Sequence, residues 1–70
     1  MFSDNIKKLR EEAGLTQDEF AEKIFVTRTA VSKWENGKSY PSIDSLKVIS
    51  DLFGISIDSL MTSLNVLAGS

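Results

Sequence analysis

Residues 15–38 read Leu-Thr-Gln-Asp-Glu-Phe-Ala-Glu-Lys-Ile-Phe-Val-Thr-Arg-Thr-Ala-Val-Ser-Lys-Trp-Glu-Asn-Gly-Lys. Thr16 followed three residues later by Glu19 is a capping box, in which each side chain satisfies a backbone amide of the other. It predicts a helix from Gln17 to Ile24 with Phe20, Ala21 and Ile24 on one face. Phe25, Val26 and Thr27 then interrupt, and a second helix is predicted from Arg28 to Asn36, stopped by Gly37. Its inner side carries Val31, Trp34 and Glu35. Two short helices joined by three residues cross steeply and meet at one point. Ala21 opposite Val31 suits that point, because a larger side chain at 21 would overpack at a cost of about 1 to 3 kcal/mol. The inward positions leave Arg28, Thr29, Ser32 and Lys33 facing outward. All four can hydrogen-bond, which makes them a candidate reading edge.

On either side of this pair the punctuation repeats. Gly14, Gly37 and Gly54 each close a segment with helical apolar spacing, where a left-handed cap is needed. Ser42 and Ser56 each precede Ile and then Asp, the pattern of an N-cap with an acidic first turn. Further helices are therefore predicted over 4–13, presenting Ile6, Leu9, Arg10 and Ala13; over 43–53, presenting Leu46, Ile49, Ser50 and Phe53; and over 57–64, presenting Ile57, Leu60, Met61 and Leu64. No strand pattern competes. The expectation is an all-α domain of five helices over residues 1–64, with residues 65–70 as a C-terminal tail.

Seventy residues suffice for one small core. A 41% hydrophobic, 26% charged composition is that of an ordinary globule, and no segment has the apolar length of a membrane span or the plan of a secretion signal. A cytoplasmic protein is expected. Without Cys or His, disulfides, the usual zinc sets and the commonest general base are all missing, so neither an enzyme nor a metal or other cofactor is expected. The net charge of −2 opposes binding to nucleic acid, yet Thr27 to Tyr40 carries +2 from Arg28, Lys33 and Lys38 against Glu35. The cations are concentrated beside the reading edge.

The run from 15 to 24, Val-Thr-Arg at 26–28, Val-Ser-Lys-Trp-Glu-Asn-Gly-Lys at 31–38, Pro41 and Phe-Gly-Ile-Ser at 53–56 resemble the phage repressor and Cro-type helix-turn-helix family of bacterial regulators. The likeness spans about residues 4–64 and implies a compact lambda-repressor-like fold, with the helix-turn-helix made by the second and third helices. It implies sequence-specific binding of double-stranded DNA by a transcriptional regulator, with repression the expected outcome and helix 28–36 in the major groove. Position by position, it implies that Gln17 meets a phosphate and that Thr27 caps the third helix and touches another. Arg28, Thr29, Ser32 and Lys33 would face base edges or flanking phosphates, and Asn36 and Lys38 would hold the backbone on the far side. Arg28 is the candidate for a two-bond contact to guanine, and the Thr29 methyl for a thymine methyl. One position departs from the family: Phe25 stands where these proteins usually have glycine. A bulky residue there either accepts a positive φ or forces a different turn.

Arg10 and Glu35 are charges on apolar faces, and mutual pairing is the expected reason; the other reading of Arg10 is a phosphate contact. Trp34 at helical spacing reads as core rather than a base-stacking platform. The Glu11-Glu12 and Glu19-Glu22 groups read as solvated faces rather than catalytic pairs, and Lys7, Lys8, Lys23 and Lys47 as surface charges. Tyr40 either donates to a phosphate or packs on its loop. The apolar stripe Ile57, Leu60, Met61 and Leu64, continued by Val66 and Leu67, has two readings. It closes a homodimer suited to a palindromic operator, together with the tail, or it completes the domain's own core. The alternative function is a protein-binding module that uses this fifth helix.

Overall fold

The computed structural model describes residues 2–61, which form five helices: α1 (Phe2–Glu12), α2 (Gln17–Lys23), α3 (Arg28–Glu35), α4 (Ile43–Phe53) and α5 (Ile57–Met61). No strand occurs among the described residues. The fold is all-α. α2 packs on α3 through the short connection, α1 lies across both α3 and α5, and α4 packs on α5.

The caps do what their residue types require. Thr16 accepts from the Glu19 amide while Glu19 accepts from the Thr16 amide, closing the reciprocal box. Thr27, Ser42 and Ser56 each accept from the backbone amide three residues on. The capping bond to Thr16 holds the Glu19 carboxyl below its usual range. Gly54 takes the left-handed conformation that ends α4, at φ 65°. Phe25 also takes it, at φ 63°. Of the two outcomes open to a bulky residue in that turn, the chain adopts the positive φ, and the ring is left 85% exposed. Among the described residues little packs on it to offset the strain.

Phe20, Ala21, Ile24, Val31 and Trp34 from the helix pair are buried with Phe2, Ile6, Leu46, Ile49 and Leu60. Leu9, Val26, Phe53 and Ile57 pack partly against them, and the Phe20 and Phe53 rings stack with centroids 5.4 Å apart. The first helix differs from its sequence reading. It begins at Phe2, whose buried ring continues the Ile6 face by one turn, and it ends before Ala13, which is exposed. Asn5 on α1 donates to the Leu60 carbonyl at 2.8 Å, tying the first helix to the last. In α5, Leu60 is fully buried and Ile57 partly so, whereas Met61 is 42% exposed. The expectations for Leu64, Val66, Leu67 and the tail at 65–70 lie outside the described residues. No helix among the described residues is long and apolar enough to cross a membrane.

Candidate nucleic-acid interface

α3 has two unlike sides because Val31 and Trp34, three residues apart, both point into the core. The opposite side is thereby fixed as surface. Arg28, Thr29, Ser32, Lys33 and Asn36 from α3 and its cap join Lys38 from the following turn around one open depression of about 310 Å³. Six of the eight residues proposed from sequence as DNA-facing thus share one site. Ser32 and Asn36 are linked, since the Asn36 amide donates to the Ser32 carbonyl at 2.8 Å and to its hydroxyl at 3.4 Å. The depression presents three cations and several hydroxyl and amide groups, which is the chemistry needed by a surface that meets phosphates and base edges.

Two of the eight stand elsewhere. Thr27 is exposed just ahead of the ridge, its hydroxyl oxygen occupied as the α3 cap by the Ala30 amide. Gln17 turns toward the domain: its side-chain amide donates to Glu35 Oε1 at 3.1 Å.

That bond belongs to a network beneath the ridge. Arg10 Nε donates to Glu35 Oε2 at 2.7 Å and Nη2 to Glu35 Oε1 at 3.1 Å, a two-pronged pairing. Arg10 Nη1 also donates to the Leu15 carbonyl at 2.9 Å. The side chains are only 13% and 4% exposed. Burial alone would raise the Glu35 pKa, but the bonds from Arg10 and Gln17 outweigh it and hold the carboxyl below its usual range. The same pairing raises the pKa of the Arg10 guanidinium. Arg10 is thus committed to Glu35 and Leu15, which removes it from the ridge and leaves the phosphate-contact reading without a free guanidinium. No buried side-chain nitrogen or oxygen among the described residues is left without a partner.

A second ion pair had no sequence signal. Asp18 Oδ1 on α2 lies 3.5 Å from Arg28 Nε, with both side chains well exposed. Ten residues and a turn separate them, so no helical spacing rule could have matched them. Tyr40, for which two roles were open, packs its ring against Phe2 with centroids 5.5 Å apart while remaining 63% exposed. Among the described residues no group of three or more His, Cys, Asp or Glu is disposed to hold a metal ion.

Comparison with known proteins agrees with this geometry. A family model described as helix-turn-helix matches residues 6–60. The chain is 48% identical over 61 residues to the HTH-type transcriptional activator BcrR of Enterococcus faecalis, covering 87% of this chain and 30% of that protein. It is 39% identical over 64 residues to the control protein C.MunI of a Mycoplasma species, covering 90% of this chain and 86% of that one. Among solved structures, the SOS-response transcriptional repressor LexA of Eubacterium rectale superposes with a TM-score of 0.82 at 26% identity, over 89% of this chain and 66% of that one. The chain thus spans less than a third of the activator's length and about two thirds of the repressor structure. A match over residues 6–60, most of the chain, establishes that it belongs to the helix-turn-helix family of phage repressor and Cro type.

Proposed function

We propose that this domain is the DNA-reading part of a transcriptional regulator and binds double-stranded DNA with α3 in the major groove. The observation that carries this is the single outward ridge of Arg28, Thr29, Ser32, Lys33, Asn36 and Lys38, fixed from behind by Val31 and Trp34. Arg28 and Thr29, at the first turn of α3, reach base edges; Ser32 and Lys33 meet bases or flanking phosphates. Asn36 and Lys38, beyond the last turn, meet the backbone, with Thr27 on a phosphate ahead of the ridge. Gln17 contributes its position at the start of α2, with part of its amide held by Glu35.

Repression is the favoured outcome on physical grounds. Occupying an operator blocks competing proteins and requires only the reading face, whereas activation also needs a surface that recruits another protein. A twofold dimer on a palindromic operator fits the exposed Leu52 and Met61 on the neighbouring helices α4 and α5, with half-site centres about 10 base pairs apart. α5 already commits Leu60 and part of Ile57 to its own core, which leaves a protein-binding module less apolar surface than its sequence suggested. A role on DNA places the domain in the cytoplasm.

The test is binding to mixed-sequence duplex at low and at physiological salt, followed by selection of bound sites from random duplexes. Binding that weakens steeply with salt and a selected twofold-symmetric motif are expected. Absence of duplex binding at low salt overturns the proposal. Sedimentation at micromolar concentration tests the dimer, and a monomer throughout excludes it.

A further inference from the structure

Arg28 does not stand alone on its ridge. The Asp18 carboxylate lies 3.5 Å from its Nε, and the two side chains are 78% and 61% exposed. An ion pair this open adds little to folding stability. Its location is the informative feature, because a carboxylate beside a surface that meets phosphates weakens every duplex contact alike. Among the described residues Arg28 is the only charged partner of Asp18, whose other role is as an acidic charge in the first turn of α2.

What the carboxylate does supply is geometry. The arginine head is a flat fork of five N–H donors, one on Nε and four on the two Nη nitrogens. The Asp18 carboxylate comes nearest to Arg28 at the Nε edge, without closing a hydrogen bond. The two Nη groups make no hydrogen bond among the described residues, and they are a pair that can bond guanine O6 and N7 side by side. An unpaired arginine at an exposed position samples many rotamers and reaches any phosphate nearby; one steered at Nε presents its fork in one direction.

We propose that Asp18 is a positioning residue that aims Arg28 at a guanine, lowering affinity for DNA in general while raising discrimination at that base pair. The proposal rests on the duplex-binding function above. Asp18 thereby becomes part of the sequence-reading apparatus although it lies on α2 and outside the depression.

The experiment uses the site selected by the wild-type chain and a second duplex with the Arg28-dependent guanine pair replaced. Wild type, Asp18→Ala, Asp18→Glu, Arg28→Ala and the Asp18→Ala/Arg28→Ala double variant are measured on both and on mixed-sequence duplex, with melting curves checking that each is folded. Asp18→Ala is expected to tighten binding to mixed-sequence duplex and to reduce discrimination at that pair about 2- to 5-fold, the range of an exposed ion pair. Asp18→Glu should restore part of the discrimination. In the Arg28→Ala background the tightening should persist while discrimination falls no further. Unchanged discrimination in Asp18→Ala, or an equal loss with and without Arg28, overturns the positioning role. A wild type that binds no duplex overturns the underlying function instead, and the two failures are thus told apart.

Discussion

α3 carries half of an ion pair at each end, and the two pairs are opposite in character. Glu35, its last residue, is gripped by Arg10 in two short bonds, and its side chain is only 4% exposed. Arg28, its first, meets Asp18 at 3.5 Å in open water. The inner pair holds because both side chains are largely withdrawn from water, so each is destabilising without the other. The exposed pair is free to exchange its partner for a stronger acceptor. One end of the helix is therefore anchored, and the other is held loosely enough to take up a ligand.

The largest expected effect breaks the anchored end. Glu35→Ala leaves the largely covered Arg10 guanidinium with only the Leu15 carbonyl as partner and should cost about 3 kcal/mol of stability, the lower end for a broken buried pair. For a chain this small that approaches complete unfolding, so denaturant melts would show it directly. The Arg10→Ala/Glu35→Ala double variant should lose clearly less than the sum of the two single losses; strict additivity would mean the pair does not interact. Acid probes the same bond without mutation. The Glu35 pKa in the folded state lies below its ordinary value of 4.5, so the stability it contributes is complete above about pH 4.5. That contribution should disappear as the pH falls through the folded-state value, and a wild-type melt over this range should show a loss that Glu35→Gln lacks.

Arg28→Ala is the corresponding break at the loose end, and its effect belongs in binding rather than folding. A loss of about 1 to 3 kcal/mol on the selected site is expected, with relaxed preference at one base pair. Lys38→Ala should instead weaken selected and mixed-sequence duplexes alike. If both variants lost equally on both duplexes, the division between base reading and backbone holding would fail.

Smaller effects sharpen the contrast. Phe25 precedes the loose end with a positive φ that a phenylalanine adopts only at a cost, and its ring has little packing to lose. Phe25→Gly should therefore stabilise the fold by about 1 kcal/mol, measured as a higher midpoint in denaturant. A destabilised Phe25→Gly would show that the ring does support the turn. Smallest of all, Asp18→Ala should leave stability within about 1 kcal/mol of wild type. A larger loss would make the exposed pair a structural element and erase the difference between the two ends.

The fold was legible where chemistry is local. Thr16 with Glu19, the serines at 42 and 56, and the left-handed glycines act on neighbours within four residues, so their roles can be read in order along the chain. The start of α1 was missed although the signal existed: Phe2, Ile6 and Leu9 continue one helical face. Ala13 misled because its spacing continues that face past the point where Gly14 ends the helix. At the candidate site, burial of Val31 and Trp34 sufficed to show which α3 side chains face out. A charge on an apolar face signals a distant partner, as Arg10 and Glu35 both do. Gln17 carried no such mark, since a polar residue in a first turn is ordinary. Asp18 was equally silent, because its contact with Arg28 depends on how two helices cross rather than on spacing within either.

α1 also acts as a strut. At one end Asn5 clasps the carbonyl of Leu60, and little more than a turn later Arg10 locks onto the final residue of α3. A helical rod transmits torque with little give, so a twist imposed on α5 has a short mechanical route to the outward ridge. The same helix also packs directly on α3 and α5, so the two clasps reinforce a coupling that the shared core already makes.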